Sequence, residues 1–246
     1  MALRAFIPIG IVLLLAGCQR EQWDDCITST GPQRSEERTV SQFHKVKLDD
    51  RIDLVFDHLP ATTIVVEAGR NLIDQVITEV EGGTLSIENG NRCNWVRSFK
   101  PRITVRVPIA AVNELELTGT GNISSADTIR CEEFRIEQWG AMGTADLLID
   151  AQRIFIGLHT GAGDVVLRGS ASDHLNLYSG HLGTIDATLL RSPTVNINNS
   201  GVGDFRCWSV EHLNVQINDA GDVYYRGDPD PINAQINGSG GLIRIE

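Results

Sequence analysis

From residue 112 onward, apolar and polar positions alternate in short runs, and each run leads into a pair of glycines. Leu115-Glu116-Leu117 precedes Gly119-Thr120-Gly121, and Ile154-Phe155-Ile156 precedes Gly161-Ala162-Gly163. The pattern continues with Leu175-Asn176-Leu177 before Gly180 and Gly183, and Val195-Asn196-Ile197 before Gly201-Val202-Gly203. Val215-Gln216-Ile217 then precedes Gly221, and Ile236 precedes Gly238-Ser239-Gly240, while Phe134-Arg135-Ile136 with Gly140 and Gly143 is a looser copy. The registers Gly121, Gly143, Gly163, Gly183, Gly203, Gly221 and Gly240 are separated by 22, 20, 20, 20, 18 and 19 residues. Steps this even mark an internal repeat, the signature of a solenoid or array.

The alternation has period 2 throughout, which predicts strands and excludes helical repeats such as ankyrin; a leucine-rich repeat would need its consensus asparagine. The pattern therefore predicts an all-β, parallel β-solenoid. Each repeat makes one coil, equivalent strands stack ~4.8 Å apart, and the alternating Leu, Ile and Val point inward. Crossover handedness predicts right-handed winding. Glycine is needed at corners, either for positive φ or because the backbones approach too closely to admit a Cβ. Residues 112–246 are thus the regular coils. Residues 39–111 alternate less regularly, through Phe43 to Phe56, Thr63 to Val66, Leu85 to Ile87 and Ile103 to Val107, with turn signals at Gly82-Gly83 and Glu88-Asn89-Gly90. They read as opening coils and an N-terminal cap, which protects strand edges that would otherwise be bare. Within them, Asn71 to Val80 has the spacing of one or two helical turns.

The first residues follow a different rule. Arg4 precedes an apolar run from Ala5 to Ala16, too short to span ~30 Å of hydrocarbon, so residues 1–17 read as a cleaved export signal. The run ends Leu15-Ala16-Gly17-Cys18, which resembles the lipobox of bacterial lipoproteins and makes Cys18 the predicted lipidation site. Several acyl chains give stable anchoring where one does not. Gln19 replaces the Asp that retains some lipoproteins at the inner membrane, which favours the outer one. Residues 18–38 are polar, lack any period, and read as a flexible tether.

Charge narrows the partners. There are 21 Lys and Arg against 32 Asp and Glu, a net charge of −11, so the basic patch that nucleic-acid binding requires is missing. The same acidity makes the lipid anchor, rather than the protein surface, the expected membrane contact. Cys26, Cys93, Cys131 and Cys207 remain after the lipidation site, in an exported chain that permits disulfides. Three connectivities are open, and no CxxC spacing points to zinc or to redox catalysis.

Could the solenoid carry chemistry? Carbohydrate-active β-helices use stacked Asp, Arg and His, and here Asp146, Asp164, Asp204 and Asp222 lie near corners with His159, His174, His181 and His212 interspersed. An aspartate after a turn glycine is satisfied locally by backbone N–H groups, and the histidines share no register and read as solvated loop residues. Asp204 and Asp222 occupy equivalent positions in adjacent coils, where two carboxylates invite a cation such as Ca²⁺. Yet the calcium-binding β-roll repeats every nine residues rather than twenty, so a cation is a weak expectation and no cofactor is predicted. Trp95, Trp139, Trp208, Tyr178, Tyr224 and Tyr225 are the aromatic candidates for contacting a ligand on a flat face.

In its order of elements the chain resembles the head GIN domain family of autotransporter-adhesin-like proteins, found in lipoproteins and secreted proteins of Bacteroidetes-like bacteria. The resemblance rests on Phe43, Gly83-Thr84-Leu85-Ser86-Ile87, the Ile103 to Val107 strand ending at Pro108, Leu115 to Gly121 and the serial Gly-x-Gly coils, and covers about residues 40 to 246. It implies a β-solenoid at the cell envelope, an adhesin role, and no catalytic residues to transfer. Cys93-Asn94-Trp95-Val96-Arg97 together with Cys26 also looks like a pattern within that family, which implies that Cys26 and Cys93 pair. The expected function is therefore a non-catalytic envelope module that binds an extended glycan or protein, the rival being a polysaccharide lyase or hydrolase working through corner aspartates.

Overall fold

A computed structural model of the chain describes residues 29–91 and 102–246. The alternation becomes strand after strand of in-out side chains: β1 (Gln33–Thr39), β2 (Lys45–Leu48), β3 (Ile52–Asp57), β4 (Thr63–Gly69), β5 (Val76–Glu81), β6 (Thr84–Asn89), β7 (Ile103–Pro108), β8 (Glu114–Leu117) and β9 (Ile123–Ser125). Five long strands follow, β10 (Ile129–Ala141), β11 (Thr144–Gly161), β12 (Asp164–Ser179), β13 (Ile185–Asn199) and β14 (Phe205–Ile217). Short ones end the chain: β15 (Val223–Arg226), β16 (Ile232–Ile236) and β17 (Leu242–Arg244). The long strands bend around a corner and serve two faces of the coil. The architecture is a β-solenoid of about seven turns with parallel stacked coils, as the period predicts.

One face stacks β6, β2, β8, β10, β11, β12, β13, β14 and β16 in parallel register. Inward residues from every coil fill one continuous core, with Phe56, Phe134 and Phe205 its largest fully buried side chains. The ring centroids of Phe56 and Phe134 lie 6.3 Å apart, tilted by 60°.

The N-terminal region departs from chain order. The coil built from β2 and β3 lies between the β6–β7 coil and the β8–β9 coil, so the coil that comes first in sequence is second in the stack. Antiparallel strands then close that end: β5 pairs with β6, β4 with β7, and β1 with β4. The β5–β6 hairpin turns on Gly82 and Gly83 at φ 56° and 80°, the conformation a two-residue turn demands. Two expectations change here. Helical spacing in Asn71 to Val80 yields only a 3₁₀ turn at Ile73–Gln75 before β5 begins, because pairing with β6 claims the rest. The segment read as tether ends in strand, since Gln33 onward forms β1. An edge strand needs little apolar content, and charges on it discourage further pairing. Arg38 anchors it, donating to the Ile73 carbonyl at 2.9 Å and to Thr78 Oγ1 at 3.0 Å.

Of the two causes that call for glycine at a corner, close backbone approach is the one that applies to the register glycines. Gly121, Gly143, Gly163, Gly183, Gly203, Gly221 and Gly240 all lack positive φ. A Cβ on any of the last four would meet the carbonyl oxygen of the register glycine one coil earlier. Close stacking of backbone on backbone is thus what excludes a side chain. It also turns the residue between the glycines outward whatever its polarity, leaving Met142, Leu182 and Val202 exposed along this corner.

Candidate functional site

On the face that runs from β8 to β16, two columns of outward side chains cross the coils. The first column reads Lys45, Glu114, Arg135, Phe155, Asn176, Asn196, Asn214 and Asn233. The second reads Lys47, Glu116, Glu137, Gly157, Tyr178, Asn198, Gln216 and Gln235. Both change character along the stack, from charged, through aromatic, to uncharged amide.

The charged end neutralises itself. Lys45 Nζ lies 3.1 Å from Glu114 and 2.7 Å from Glu116, bonds that raise the lysine's pKa. Arg135 bridges Glu133 at 3.1 Å and Glu137 at 3.2 Å, and its guanidinium lies 4.5 Å above the Phe155 ring centroid.

The amide end forms a ladder. Asn196 Nδ2 donates to Asn176 Oδ1 at 2.9 Å, Asn214 to Asn196 at 2.8 Å, and Asn233 to Asn214 at 2.9 Å. Asn218 and Asn237 build a parallel rail, Asn218 donating to Asn198 Oδ1 at 3.2 Å and Asn237 to Asn218 Oδ1 at 2.9 Å. The first ladder stops where Phe155 replaces the next asparagine, and the buried Asn176 Nδ2 has no hydrogen-bond partner.

Between the two ends sits an aromatic cluster. His159 stacks on Trp139 with centroids 3.9 Å apart and planes 9° from parallel, and lies 5.4 Å from the Tyr178 ring. Its Nε2 hydrogen-bonds Glu137 Oε2 at 2.6 Å. Gly157 makes this possible, since a Cβ there would stand 2.9 Å from His159 Nε2, against the hydrogen bond itself. Trp139 keeps 50% of its surface and Tyr178 36%, so a bonded, stacked histidine braces rings that remain open to solvent. His159 and Tyr178 of the cluster line, together with the ladder, a trough of about 940 Å³, and Trp139 is tied to it only through its stack on His159.

The structure sorts the residues singled out in sequence. Tyr178 lines the trough, and Trp139 reaches it only through His159, on which it stacks; Trp208 lies elsewhere, under Arg226 with the guanidinium 4.4 Å from its ring, and Tyr224 lies beneath Arg206 at 5.0 Å. Tyr225 packs partly buried against the core. The histidines are not solvated loop residues as a group: His159 belongs to β11 and the cluster above, and His174 on β12 meets the Phe155 ring edge-on at 5.5 Å. His174 and His212 also share a column, both pairing with Thr194. Cys18, Cys26, Cys93 and Trp95 lie outside the described residues.

The corner carboxylates are occupied, though by the neighbouring coil rather than by their own turns. Asp164 Oδ1 accepts from Thr184 N at 3.0 Å and from its hydroxyl at 2.6 Å. Asp204 Oδ1 accepts from Asp222 N at 3.0 Å, and Asp222 Oδ1 from Gly241 N at 2.7 Å. Tyr224 donates its hydroxyl to Asp222 Oδ2 at 3.1 Å, which raises the phenol's pKa. Asp146 instead pairs with Arg168 through both carboxylate oxygens. Among the described residues, no group of three or more His, Cys, Asp or Glu is placed to hold a metal ion.

Sequence reasoning missed the ladder, although its signal was present as an asparagine between apolar residues in Leu175-Asn176-Leu177 and Val195-Asn196-Ile197. The repeat was then continued through Val215-Gln216-Ile217, whereas Val195 pairs with Leu213 and Ile197 with Val215. The coil ending at Gly221 is two residues short, and the strand pairing absorbs the deficit through shifts between Ala187 and Arg191 and between Ser192 and Thr194.

A family model described as "Putative auto-transporter adhesin, head GIN domain" matches residues 42–229. The chain belongs to this family. Solved structures agree in fold with this head GIN domain. A putative adhesin from Bacteroides fragilis NCTC 9343 superposes with a TM-score of 0.76 at 22% identity, covering 87% of this chain and 97% of that one. Two proteins from Parabacteroides distasonis ATCC 8503 each give a TM-score of 0.65 at 18% identity. One is called a putative adhesin and covers 87% of this chain and 98% of its own; the other, called a putative lipid binding protein, covers 89% and 98%. No curated protein matches the head GIN chain. Among its described residues, no helix is long and apolar enough to cross a membrane.

Proposed function

We propose that this protein is a non-catalytic binding module of the cell envelope, anchored through a lipid on Cys18, that presents the trough to an extended ligand. One observation carries the reading: two outward columns, fixed in register by strand pairing, bring solvent-open aromatic rings and an uncharged amide surface onto one rigid face. A repetitive rigid face suits a ligand longer than a single residue or ring. The adhesin description of the family agrees with a binding role, and the export signal and lipobox agree with the envelope, the outer membrane being favoured by Gln19.

The test is binding measured beside turnover. The detergent-solubilised full chain is presented to polysaccharides, envelope proteins and lipid vesicles, with Tyr178→Ala as the trough variant, while the same polysaccharides are assayed for cleavage. Specific binding lost in Tyr178→Ala, without cleavage, supports the module. Cleavage abolished by Asp204→Ala or Asp222→Ala would overturn it in favour of an enzyme.

A further inference from the structure

We infer that the trough takes an uncharged polysaccharide chain lying along the stack, with a sugar ring on the His159–Tyr178 end and hydroxyls on the amides of the following coils. This rests on the reading of the trough as the binding face. Four features point to that chemistry.

The first is what the ladder leaves over. An asparagine amide has two N–H donors and an oxygen with two lone pairs. In Asn196 and Asn214 one donor and one lone pair are spent on the neighbouring coils, so a donor and an acceptor remain at each step. The steps recur at the ~4.8 Å strand spacing. A sugar hydroxyl both donates and accepts, and a row of mixed donor–acceptor sites matches a row of hydroxyls.

The second is charge. Asn176, Asn196, Asn214, Asn233, Asn198 and Gln216 carry none, and the arginine that lines the trough, Arg135, is already shared between two carboxylates. In a chain of net charge −11, nothing at this end compensates a polyanion, so uronates and sulfated glycans are disfavoured.

The third is preorganisation. His159 is held by Glu137 and backed by the Trp139 ring, and it lies 5.4 Å from the Tyr178 ring, so the aromatic end of the trough is braced before a ligand arrives. Fixing an amphipathic surface in advance lowers the entropy lost on binding.

The fourth weighs against a peptide. From β11 to β14 each strand of this face is hydrogen-bonded on both sides, so it offers no edge for an added β-strand. Along these strands recognition runs through side chains, and only β16, paired with β14 alone, has a free side.

Affinity electrophoresis of the full chain in gels containing dextran, laminarin, xylan, mannan or hydroxyethyl cellulose, with polygalacturonate and heparin as acidic probes, tests the assignment. At least one neutral polysaccharide is expected to retard the protein and neither acidic one. Tyr178→Ala and Gln216→Ala should each weaken that binding about tenfold, as loss of a central contact does. Their melting temperatures should fall only slightly, Gln216 giving up a single hydrogen bond to Asn218, and Trp208→Ala should leave binding intact. Retardation by acidic probes alone, by none of the neutral ones, or in a manner indifferent to Tyr178 and Gln216 overturns the glycan assignment. If an envelope protein or a vesicle of phosphatidylethanolamine and phosphatidylglycerol binds instead, and Tyr178→Ala abolishes it, the trough remains the binding face and only the ligand class falls. Binding of every kind that ignores both trough variants brings down the two readings together.

Discussion

Asn196 donates its side-chain N–H to Asn176 one coil away, at 2.9 Å, while the corresponding N–H of Asn176 has no partner. The two asparagines look equivalent in sequence and are not equivalent in energy. Asn196→Ala breaks the bond it donates and the one it accepts from Asn214, and leaves Asn214 without its acceptor. Asn176→Ala breaks one bond and also removes an orphaned donor. With a net bond worth about 0.5 to 1.5 kcal/mol and an unsatisfied group costing about 1 to 3 kcal/mol, Asn196→Ala should destabilise more than Asn176→Ala. Urea midpoints of the two variants decide it, and equal or reversed losses would show that the ladder is not the relevant contact.

The corner glycines make a second contrast. A Cβ at Gly203 meets the Gly183 carbonyl oxygen, backbone that cannot step aside without shifting the whole coil. At Gly140 nothing lies within 4 Å, and only its φ of 82° opposes a side chain. Gly140→Ala should therefore cost about 1 to 2 kcal/mol, whereas Gly203→Ala should cost about 3 kcal/mol or abolish folding, the upper end for overpacking. Thermal melts followed by circular dichroism in the β-sheet band would expose the opposite order.

Cys131 and Cys207 are free thiols. Burial pushes Cys207 up to about 12, and burial followed by the charge of Glu133 pushes Cys131 up to about 11. A raised thiol pKa keeps the group protonated, and the thiolate is the reactive species. At pH 8 iodoacetamide should thus leave both unmodified in the folded chain and label both in denaturant, read by peptide mass mapping. Rapid labelling of Cys207 in the native protein would contradict its place in the core. The same maps, run without reductant, test the proposed Cys26–Cys93 pair: two free thiols there would end it.

For the anchor, Cys18→Ser should accumulate as unprocessed or soluble chain on membrane fractionation. Partition with membranes at the mass of the parent protein would show that something other than an acyl group holds it.

Asp222 accepts two hydrogen bonds, so Asp222→Ala is expected to lower stability by about 1 to 3 kcal/mol. Millimolar Ca²⁺ should leave the melting temperature of the parent protein where it was. A rise that Asp222→Ala removes would establish a cation between the corner carboxylates after all, since a ligand that binds only the folded state stabilises it.

What the sequence determined by itself is the coil. Leu115, Ile136, Ile156, Leu177 and Ile197 point inward as their alternation predicts, and the glycine registers stack as their spacing predicts. Both are local properties: a strand alternates its side chains with period 2, and one coil consumes a nearly fixed length of chain. The tertiary structure alone decided which outward residues meet. Trp139 reaches His159, and Asn214 rather than Gln216 joins Asn196, through strand pairings some twenty residues apart whose register a two-residue deficit shifts. It likewise decided that β2 lies between β6 and β8, and that the polar segment at Gln33–Thr39 becomes an edge strand on β4. Such choices depend on pairing between distant segments, and neither alternation nor period records which distant strand a given strand will find.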